Sequence, residues 1–182
     1  GALKGFAFSS AAFEVSAGHT VAGYRDESAL SDFATKVDAI TYEFENVPVD
    51  AVRFLEALKP VRPGSRALDI AQDRLKEKRL ARDLGVVTAD FAGVASRAEL
   101  GQRIVELGLP AILKTTRFGY DGKGQAKILK IGDADYAYAA MNGAPAILES
   151  LVDFQAELSV VAAPGLDGGF VPYDVVENVH RS

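Results

Sequence analysis

The sequence predicts an α/β region followed by an α+β region. Strand and helix patterns alternate at the start of the chain, which is typical of a parallel sheet covered by helices. The predicted strands of the second half follow one another mainly through hairpin-like connections, which favours an α+β arrangement. Hydrophobic residues make up 48% of the 182 residues and charged residues 25%, a composition typical of folded globular proteins.

The first region is predicted from a short series of elements. Pro48 follows an apolar strand pattern that ends in two carboxylates, and proline is favoured in the first turn of a helix. In the helix that follows, Val52, Leu55 and Leu58 recur at three-residue spacing and predict one face of the helix. The elements predicted here are the strand Gly5–Ser9, the helix Ala29–Lys36, the strand Val37–Glu45 and the helix Val49–Leu58.

Two prolines and a glycine within residues 59–65 mark a candidate domain boundary, although short connections inside α/β domains look similar. Beyond it, Gly85 is placed to end a long charged helix. Ser96 and Glu99 have the spacing of a capping box at the start of the next helix. The elements predicted are the helices Ala67–Leu84, Ser96–Leu107 and Asp133–Met141, and the strands Val86–Val94, Pro110–Lys114, Ala126–Lys130, Ala146–Glu149, Glu157–Ala163 and Phe170–Val176.

The segment Gly119–Gln125 contains three glycines, together with an acid, a cation and a phenol. Glycine permits backbone conformations that a Cβ atom forbids and lets the chain approach a ligand closely. Strands are predicted on both sides of the segment, and Lys114 ends the first of them. This pattern fits a lid over a polyphosphate. Taken alone, it fits a flexible hairpin loop with ordinary surface charges equally well.

The polar residues around this loop occur in the order that an ATP site needs. Such a site combines cations for the phosphates, an apolar slot for adenine and a carboxylate for the ribose hydroxyls. A lone strand-end lysine is more often structural, and the charged run Asp73–Arg79 fits a solvated helix face. The ordered set nevertheless favours an ATP site. Its candidates are Lys114, Lys123, Glu149, Leu151, Val152 and Glu157.

Composition argues against several other classes of protein. The net charge of -5 argues against a nucleic-acid partner, because such proteins normally present a basic surface. The sequence has no cysteine and only two histidines, which excludes thiolate zinc sites and makes a histidine-rich metal site improbable. No apolar run approaches the roughly 20 residues that span a bilayer, so no membrane partner is expected. The first residues show no signal-peptide pattern, and the apolar start without methionine suggests a piece of a longer protein.

Several segments together resemble one family. They are Thr41–Pro48, Gln72–Lys78, Lys114 with Gly119–Gln125, Phe154–Ser159 and Glu177–His180. In this order the segments resemble the N5-carboxyaminoimidazole ribonucleotide synthases, which are ATP-grasp enzymes. The resemblance covers almost the whole chain. The Tyr-Glu-Phe-Glu-Asn sequence at 42–46 is highly specific to these enzymes, whereas Lys114 and the glycine loop alone indicate only an ATP-grasp protein.

The resemblance implies a domain order and a reaction. Residues 1–63 would form a Rossmann-like pre-ATP-grasp domain, and residues 64–182 an incomplete ATP-grasp fold with a lid subdomain at about 86–141. The implied enzyme is a cytoplasmic, homodimeric carbon–nitrogen ligase of purine biosynthesis. It phosphorylates bicarbonate with ATP to carboxyphosphate and carboxylates the exocyclic amine of 5-aminoimidazole ribonucleotide. The first strand and glycine loop of the family are absent here, and the ligands of Mg²⁺ are expected beyond residue 182.

The resemblance also implies the roles of individual residues. Arg74 and Lys114 would contact ATP phosphates, Glu157 would hold ribose, and His180 would lie near the nucleotide. The segment Glu149–Val152 would line adenine, partly through backbone groups. Tyr120, Asp121 and Lys123 would face the reactants as catalytic residues. The complete set implied to bind the nucleotide is Arg74, Lys114, Gly119, Tyr120, Asp121, Gly122, Lys123, Gly124, Gln125, Glu149, Ser150, Leu151, Val152, Glu157 and His180.

Three alternatives stay open from the sequence. Glu43 and Glu45 could cap the helix that follows Pro48, or lie near the aminoimidazole or at the domain junction. The enzyme could be another ATP-grasp carboxylase or a formate-dependent ribonucleotide ligase. The segment Tyr42–Val47 argues against both of these. The chain could also be a non-catalytic nucleotide-binding module.

Overall fold

The computed structural model describes residues 5–7, 14, 16–119 and 124–179 of the chain. These residues belong to two compact units, 1–150 and 151–182. No helix in the described part of the chain is long and apolar enough to cross a membrane. The predicted boundary after residue 63 and the lid subdomain at about 86–141 stay predictions.

The N-terminal part of the first unit pairs its strands in parallel, as the alternating pattern predicts. Strand β1 (Gly5–Ala7) runs parallel to β2 (His19–Val21), and a single parallel bridge joins Ile40 to Val61. Helices α1 (Glu27–Ala34), α2 (Val49–Glu56) and α3 (Ser65–Ala71) contribute most of the apolar residues of one core. That core consists of Leu30, Phe33, Ala34, Ile40, Val47, Ala51, Val52, Leu55, Val61 and Leu68.

The predicted strand Val37–Glu45 is wrong beyond a single bridge. The backbone of Ile40 bonds Pro60 and Arg62, but the chain then leaves the extended ladder. The carbonyls of Glu45 and Val47 instead accept hydrogen bonds from the side chain of Gln72. At these two carbonyls a side chain therefore takes the place of a neighbouring strand.

Helix α2 begins directly after Pro48 and ends at Glu56, two residues earlier than predicted. Val52 and Leu55 are buried, as their spacing predicts, whereas Leu58 lies past the helix and is 44% exposed. The Glu56 side chain accepts a hydrogen bond from the Ser65 backbone N at 2.7 Å and so caps α3, whose own N-cap is a glycine. Hydrogen bonds from Ser65 lower the pKa of Glu56.

The single helix predicted over Ala67–Leu84 is two helices. Helix α3 ends at Ala71, and α4 runs over Arg74–Asp83. The Asp73 backbone is extended, and its carboxylate accepts from the N–H groups of Leu75 and Lys76. Aspartate is a preferred N-cap, so the chain restarts a helix here instead of continuing one. Gly85, at φ +78°, follows the end of α4 as predicted.

The rest of the first unit is an antiparallel sheet packed on two helices. Its strands are β3 (Phe91–Val94), β4 (Ala111–Thr115), β5 (Gln125–Ile128) and β6 (Ala146–Ser150), in the order β3-β6-β4-β5. The helices are α5 (Arg97–Leu107) and α6 (Ala134–Ala140), with a 3-10 turn at Ile131–Asp133 before α6. The core residues between them are Val94, Leu100, Ile104, Ala111, Leu113, Ile128, Ala134, Ala137, Met141, Ala146 and Leu148.

Most of these elements lie where the sequence predicts them. The Ser96 hydroxyl accepts from Glu99 N at 3.1 Å, and the Glu99 carboxylate accepts from Ala95 N, so the predicted cap of α5 is confirmed. The predicted strand Val86–Val94 is confirmed only over β3. Val87 is 95% exposed and contributes nothing to the core, which explains why the strand starts later.

The second unit consists of short antiparallel pairs. Strand β7 (Leu158–Ser159) pairs with β10 (Val176–Glu177), and β8 (Ala162–Pro164) pairs with β9 (Phe170–Pro172). The predicted strands Glu157–Ala163 and Phe170–Val176 are therefore each divided in two. Both β8 and β9 end at a proline, which has no N–H group to continue a ladder.

We predict that Leu113→Ala lowers the free energy of unfolding by about 2–5 kcal/mol, because it leaves a cavity in a closed core. Leu113 has no exposed surface, whereas Leu129, which directly follows the buried Ile128, is 63% exposed. Urea unfolding followed by circular dichroism measures both variants. Leu129→Ala is the matched control, and equal losses in the two variants would contradict this description of the core.

Candidate functional site

Two lysines share one buried carboxylate on the sheet of the first unit. The Lys114 Nζ lies 3.1 Å from Glu149 Oε2, and the Lys78 Nζ lies 3.2 Å from the same oxygen. The Glu149 side chain is 7% exposed, and the lysines are 25% and 22% exposed. Two positive charges against one negative charge leave this cluster with a net positive charge. It can therefore accept an anionic group.

The strand register explains how Lys114 and Glu149 meet. Lys114 is directly opposite Ile147, and Glu149 is two residues further along β6. Side chains two residues apart point to the same face of a sheet, and diagonal neighbours are within reach of long side chains. Leu113 and Leu148 point to the opposite face, into the core with α5 and α6. The charged cluster therefore lies on the other face of the sheet.

Helix α4 brings the second lysine to this face. A Cβ atom on Gly93 of β3 would lie 3.1 Å from Leu75, so the glycine allows α4 to approach the sheet closely. Lys78 follows Leu75 by three residues and Arg74 by four, so these side chains share one side of the helix. This packing places Lys78 against Glu149.

Arg74 holds the chain that leads into the glycine loop. Its guanidinium donates to the carbonyl oxygens of Thr115 at 2.9 Å and Gly119 at 2.5 Å. Its backbone N–H donates to Thr116 O at 2.9 Å. These bonds fix the start of the loop relative to α4. The resemblance gives Arg74 a role on ATP phosphates, which stays a prediction.

Gln72 joins this chain segment to residues 41–48. Its side-chain amide N–H group donates to Glu45 O at 2.6 Å and Val47 O at 2.7 Å. Its side-chain oxygen accepts from Arg117, close to the glycine loop. Gln72 is 7% exposed, and its bond to Val47 O is buried, whereas the bonds to Glu45 O and from Arg117 are half-buried. One side chain thus connects the family-specific segment with the start of the loop.

The far end of the loop is fixed by Gly124. Its carbonyl accepts from Thr115 N at 2.8 Å, and its φ is +67°, a conformation that favours glycine. A Cβ atom here would lie 2.8 Å from the Thr115 hydroxyl oxygen. Gln125 follows in β5, opposite Lys114. Glycine is therefore required at this position by both backbone and space.

Part of the predicted site lies outside the described residues. This part comprises Tyr120, Asp121, Gly122, Lys123 and His180. Lys114, Glu149, Arg74, Gly119, Gly124, Gln125 and Ser150 all lie in the first unit. Leu151, Val152 and Glu157 lie in the second unit. Within that unit the Glu157 carboxylate accepts from the Asn178 side-chain N–H group at 3.0 Å, which holds it in one orientation.

The segment 41–48 carries a half-buried tyrosine and two exposed acids. Burial, and then the nearby Glu56 carboxylate, raise the pKa of Tyr42 above its ordinary value. Glu43 and Glu45 are exposed, and α2 begins after Pro48 without a side-chain hydrogen bond from its N-cap residue. A place for these two acids near the acceptor stays a prediction.

The described residues do not form a metal centre. Among them no group of three or more His, Cys, Asp or Glu side chains is placed to hold a metal ion. The carboxylate of Glu149 is already engaged by two ammonium groups.

Sequence reasoning missed three residues of the site. Gln72 and Lys78 lie within the family segment Gln72–Lys78, and Asn178 within Glu177–His180, but none was given a role. The four-residue spacing from Arg74 to Lys78 was a usable signal, because it places both on one helix face. The partners of Lys78, Gln72 and Asn178 are Glu149, Arg117 and Glu157, respectively. They are distant in the sequence, so no local pattern indicates these contacts.

The comparison with protein families agrees with this arrangement. Residues 6–72 match the ribonucleotide synthetase preATP-grasp domain, and residues 79–182 match the ATP-grasp domain. The chain belongs to the ATP-grasp family. The predicted fold class, a Rossmann-like pre-ATP-grasp domain followed by an ATP-grasp region, is confirmed.

Known relatives also confirm the resemblance to one group of these enzymes. The chain is 44% identical to the N5-carboxyaminoimidazole ribonucleotide synthase of Pseudomonas aeruginosa, over 90% of this chain and 46% of the relative. It is similar to the crystal structure of an N5-carboxyaminoimidazole ribonucleotide synthetase in complex with ADP, with a TM-score of 0.92 and 33% identity over 98% of this chain and 48% of the other. For the synthetase of Thermus thermophilus the TM-score is 0.88 and the identity 39%, with the same coverage. The chain spans about half the length of these relatives.

We predict that Gln72→Met lowers the free energy of unfolding by about 1–3 kcal/mol, because the buried carbonyl of Val47 and the half-buried one of Glu45 lose their donor. It should also speed proteolysis within residues 41–48, whose backbone it anchors. Thermal unfolding and limited proteolysis measure both effects. Gln102→Met, at an exposed position of α5, is the control. Equal stability and equal proteolysis rates in the two variants would contradict the role of Gln72 in holding the backbone of residues 41–48.

Proposed function

We propose that the protein containing this chain is an ATP-dependent carbon–nitrogen ligase. It carboxylates 5-aminoimidazole ribonucleotide with bicarbonate and so makes N5-carboxyaminoimidazole ribonucleotide in purine biosynthesis. The observation that carries the proposal is the Lys114–Glu149–Lys78 cluster, which has a net positive charge and whose Lys114 lies opposite Gln125, the last residue of the glycine loop. Similarity to the synthases supports the choice of substrates. A cytoplasmic homodimer is part of the same proposal.

The proposed reaction has two steps. A bicarbonate oxygen attacks the γ-phosphorus of ATP, the bond to the β-phosphate oxygen breaks, and ADP leaves. The exocyclic amine nitrogen then attacks the carboxyl carbon of carboxyphosphate, inorganic phosphate leaves, and the amine loses a proton. Mg²⁺ belongs to the proposal as the counter-ion of ATP.

The described residues support the first step through position and charge. Phosphoryl transfer depends mainly on aligning the reactants and on spreading the negative charge over cations. Lys114 supplies a cation on a rigid central strand, which is paired on both sides. Arg74 holds the start of the loop through three hydrogen bonds, so the loop closes from a fixed base.

The loop itself is proposed to protect the intermediate. Carboxyphosphate hydrolyses readily, so the site must exclude water between the two steps. Gly119, Gly122 and Gly124 permit closure, while Tyr120, Asp121 and Lys123 meet the reactants in this proposal. The proposal also gives Leu151 and Val152 contacts to adenine, Glu157 a contact to ribose, and His180 a place near the nucleotide, as the resemblance implies.

We expect ATP hydrolysis by the full-length protein to require both bicarbonate and 5-aminoimidazole ribonucleotide. The reason is that carboxyphosphate forms only from bicarbonate and, in a site that excludes water, is consumed by the acceptor. ADP release in a coupled assay, with each component omitted in turn, measures this. Turnover with glycinamide ribonucleotide or formate as efficient as with the proposed substrates would favour one of the other ATP-grasp ligases. ATP binding without any turnover would favour a non-catalytic module.

Lys114→Ala should reduce kcat/KM for ATP by well over tenfold, since removing one charge contact to a transition state costs about 3–4 kcal/mol. Steady-state kinetics at saturating bicarbonate and acceptor give this value. Lys36→Ala, at an exposed position after α1, is the control and should change little. A change within about twofold for Lys114→Ala would remove this residue from the proposed site.

A further inference from the structure

Two lysine ammonium groups contact the Glu149 carboxylate, although one would be enough to compensate its charge. A buried carboxylate requires a compensating charge or hydrogen bonds, and one lysine would supply that. In this structure Lys114 and Lys78 both lie within 3.2 Å of the same oxygen, Oε2. Among the described residues, no other basic side chain lies within ion-pair distance of this carboxylate. The second lysine therefore needs its own explanation.

The proposed function creates a conflict for Lys114. Its ammonium group bonds Glu149 at 3.1 Å, yet it must hold a nucleotide phosphate when ATP binds. Moving it away would leave Glu149 without this partner, in a position that is 7% exposed. Breaking a buried ion pair by removing one partner is strongly unfavourable, because the remaining charge is uncompensated. A carboxylate with only Lys114 as partner would thus compete with the phosphate.

Resting on the proposed function, we propose that Lys78 is a positioning residue which keeps Glu149 compensated while Lys114 binds the nucleotide phosphate. Lys78 comes from α4, so it is held independently of β4 and its lysine. Its ammonium lies 3.2 Å from Glu149 Oε2 and is already in place before any movement of Lys114. When Lys114 leaves Glu149 to bind the phosphate, Lys78 remains as the partner of the buried carboxylate.

Other residues of α4 are arranged differently. Lys76 lies two residues away on the same helix, where it bonds the Asp69 carboxylate at 2.8 Å. Arg74 bonds the carbonyls of Thr115 and Gly119. Neither of them replaces Lys78 at Glu149. Lys76 is therefore a matched control, being a lysine of the same helix in an ion pair of similar length.

The test measures the dissociation constant of ATP and the steady-state kinetics of the full-length protein. For Lys78→Met we expect the dissociation constant to rise about tenfold or more, because Lys114 stays on Glu149. At saturating ATP, kcat should stay within about threefold, because the bound state still has Lys114 on the phosphate. Lys78→Arg should restore tight binding.

Lys76→Met is the control and should change the dissociation constant of ATP by less than about threefold, as for an ion pair near the surface.

A second substitution separates positioning from direct contact. In the Glu149→Gln background the neutral amide no longer holds Lys114, so adding Lys78→Met should cost little ATP affinity. The same loss with and without Glu149→Gln would mean that Lys78 contacts the nucleotide itself, and would overturn the proposal. If Lys78→Met does not fold, Lys78→Gln removes the same charge but retains a donor, so the dissociation constant should rise less than tenfold but more than for Lys76→Met; a rise no larger than for Lys76→Met would overturn the proposal.

Lys114→Met distinguishes this inference from the proposed function. If that variant binds ATP as tightly as the unchanged protein, the proposed nucleotide site is wrong. If it weakens ATP binding while Lys78→Met behaves like Lys76→Met, only the positioning role of Lys78 is wrong. Thermal unfolding of every variant shows whether it is folded at the assay temperature.

Discussion

The buried carboxylate of Glu149 needs a compensating charge, and this need links helix α4 to the antiparallel sheet. Lys114 of strand β4 and Lys78 of helix α4 both contact this carboxylate. Both elements must therefore lie close to β6, which carries Glu149. Gly93 lets α4 approach the sheet, and the strand register brings Lys114 beside Glu149. Since an unpaired charge here would be costly, these contacts specify how helix and sheet meet. The same contacts leave an excess positive charge for an anionic ligand.

A second set of bonds fixes the glycine loop to the rest of the unit. The break between α3 and α4, imposed by the Asp73 cap, places Gln72 and Arg74 at the turn between the helices. Gln72 is bonded to the segment 41–48 and to Arg117, and Arg74 to the carbonyls that precede the loop. These hydrogen bonds therefore connect the backbone of Glu45 and Val47 to the residues that precede the loop.

Local signals in the sequence predicted the elements that depend on local chemistry. The Ser96 cap, the paired strands around the glycine loop and the position of Gly85 are all confirmed. The strand Val37–Glu45 and the helix Ala67–Leu84 were wrong because a distant side chain, Gln72, and a cap, Asp73, decide those backbones. Lys114 and Glu149 were recognised as site candidates from their order in the chain. Their pairing, and the part played by Lys78, depend on tertiary contacts that no local pattern encodes.

The most direct test of the central claim is a crystal structure of the full-length protein with a non-hydrolysable ATP analogue. The account predicts that the Lys114 ammonium lies on a phosphate oxygen, Lys78 stays on Glu149, and residues 119–125 cover the phosphates. A nucleotide bound away from this cluster would contradict the account, as would Lys114 remaining on Glu149 beside a bound nucleotide.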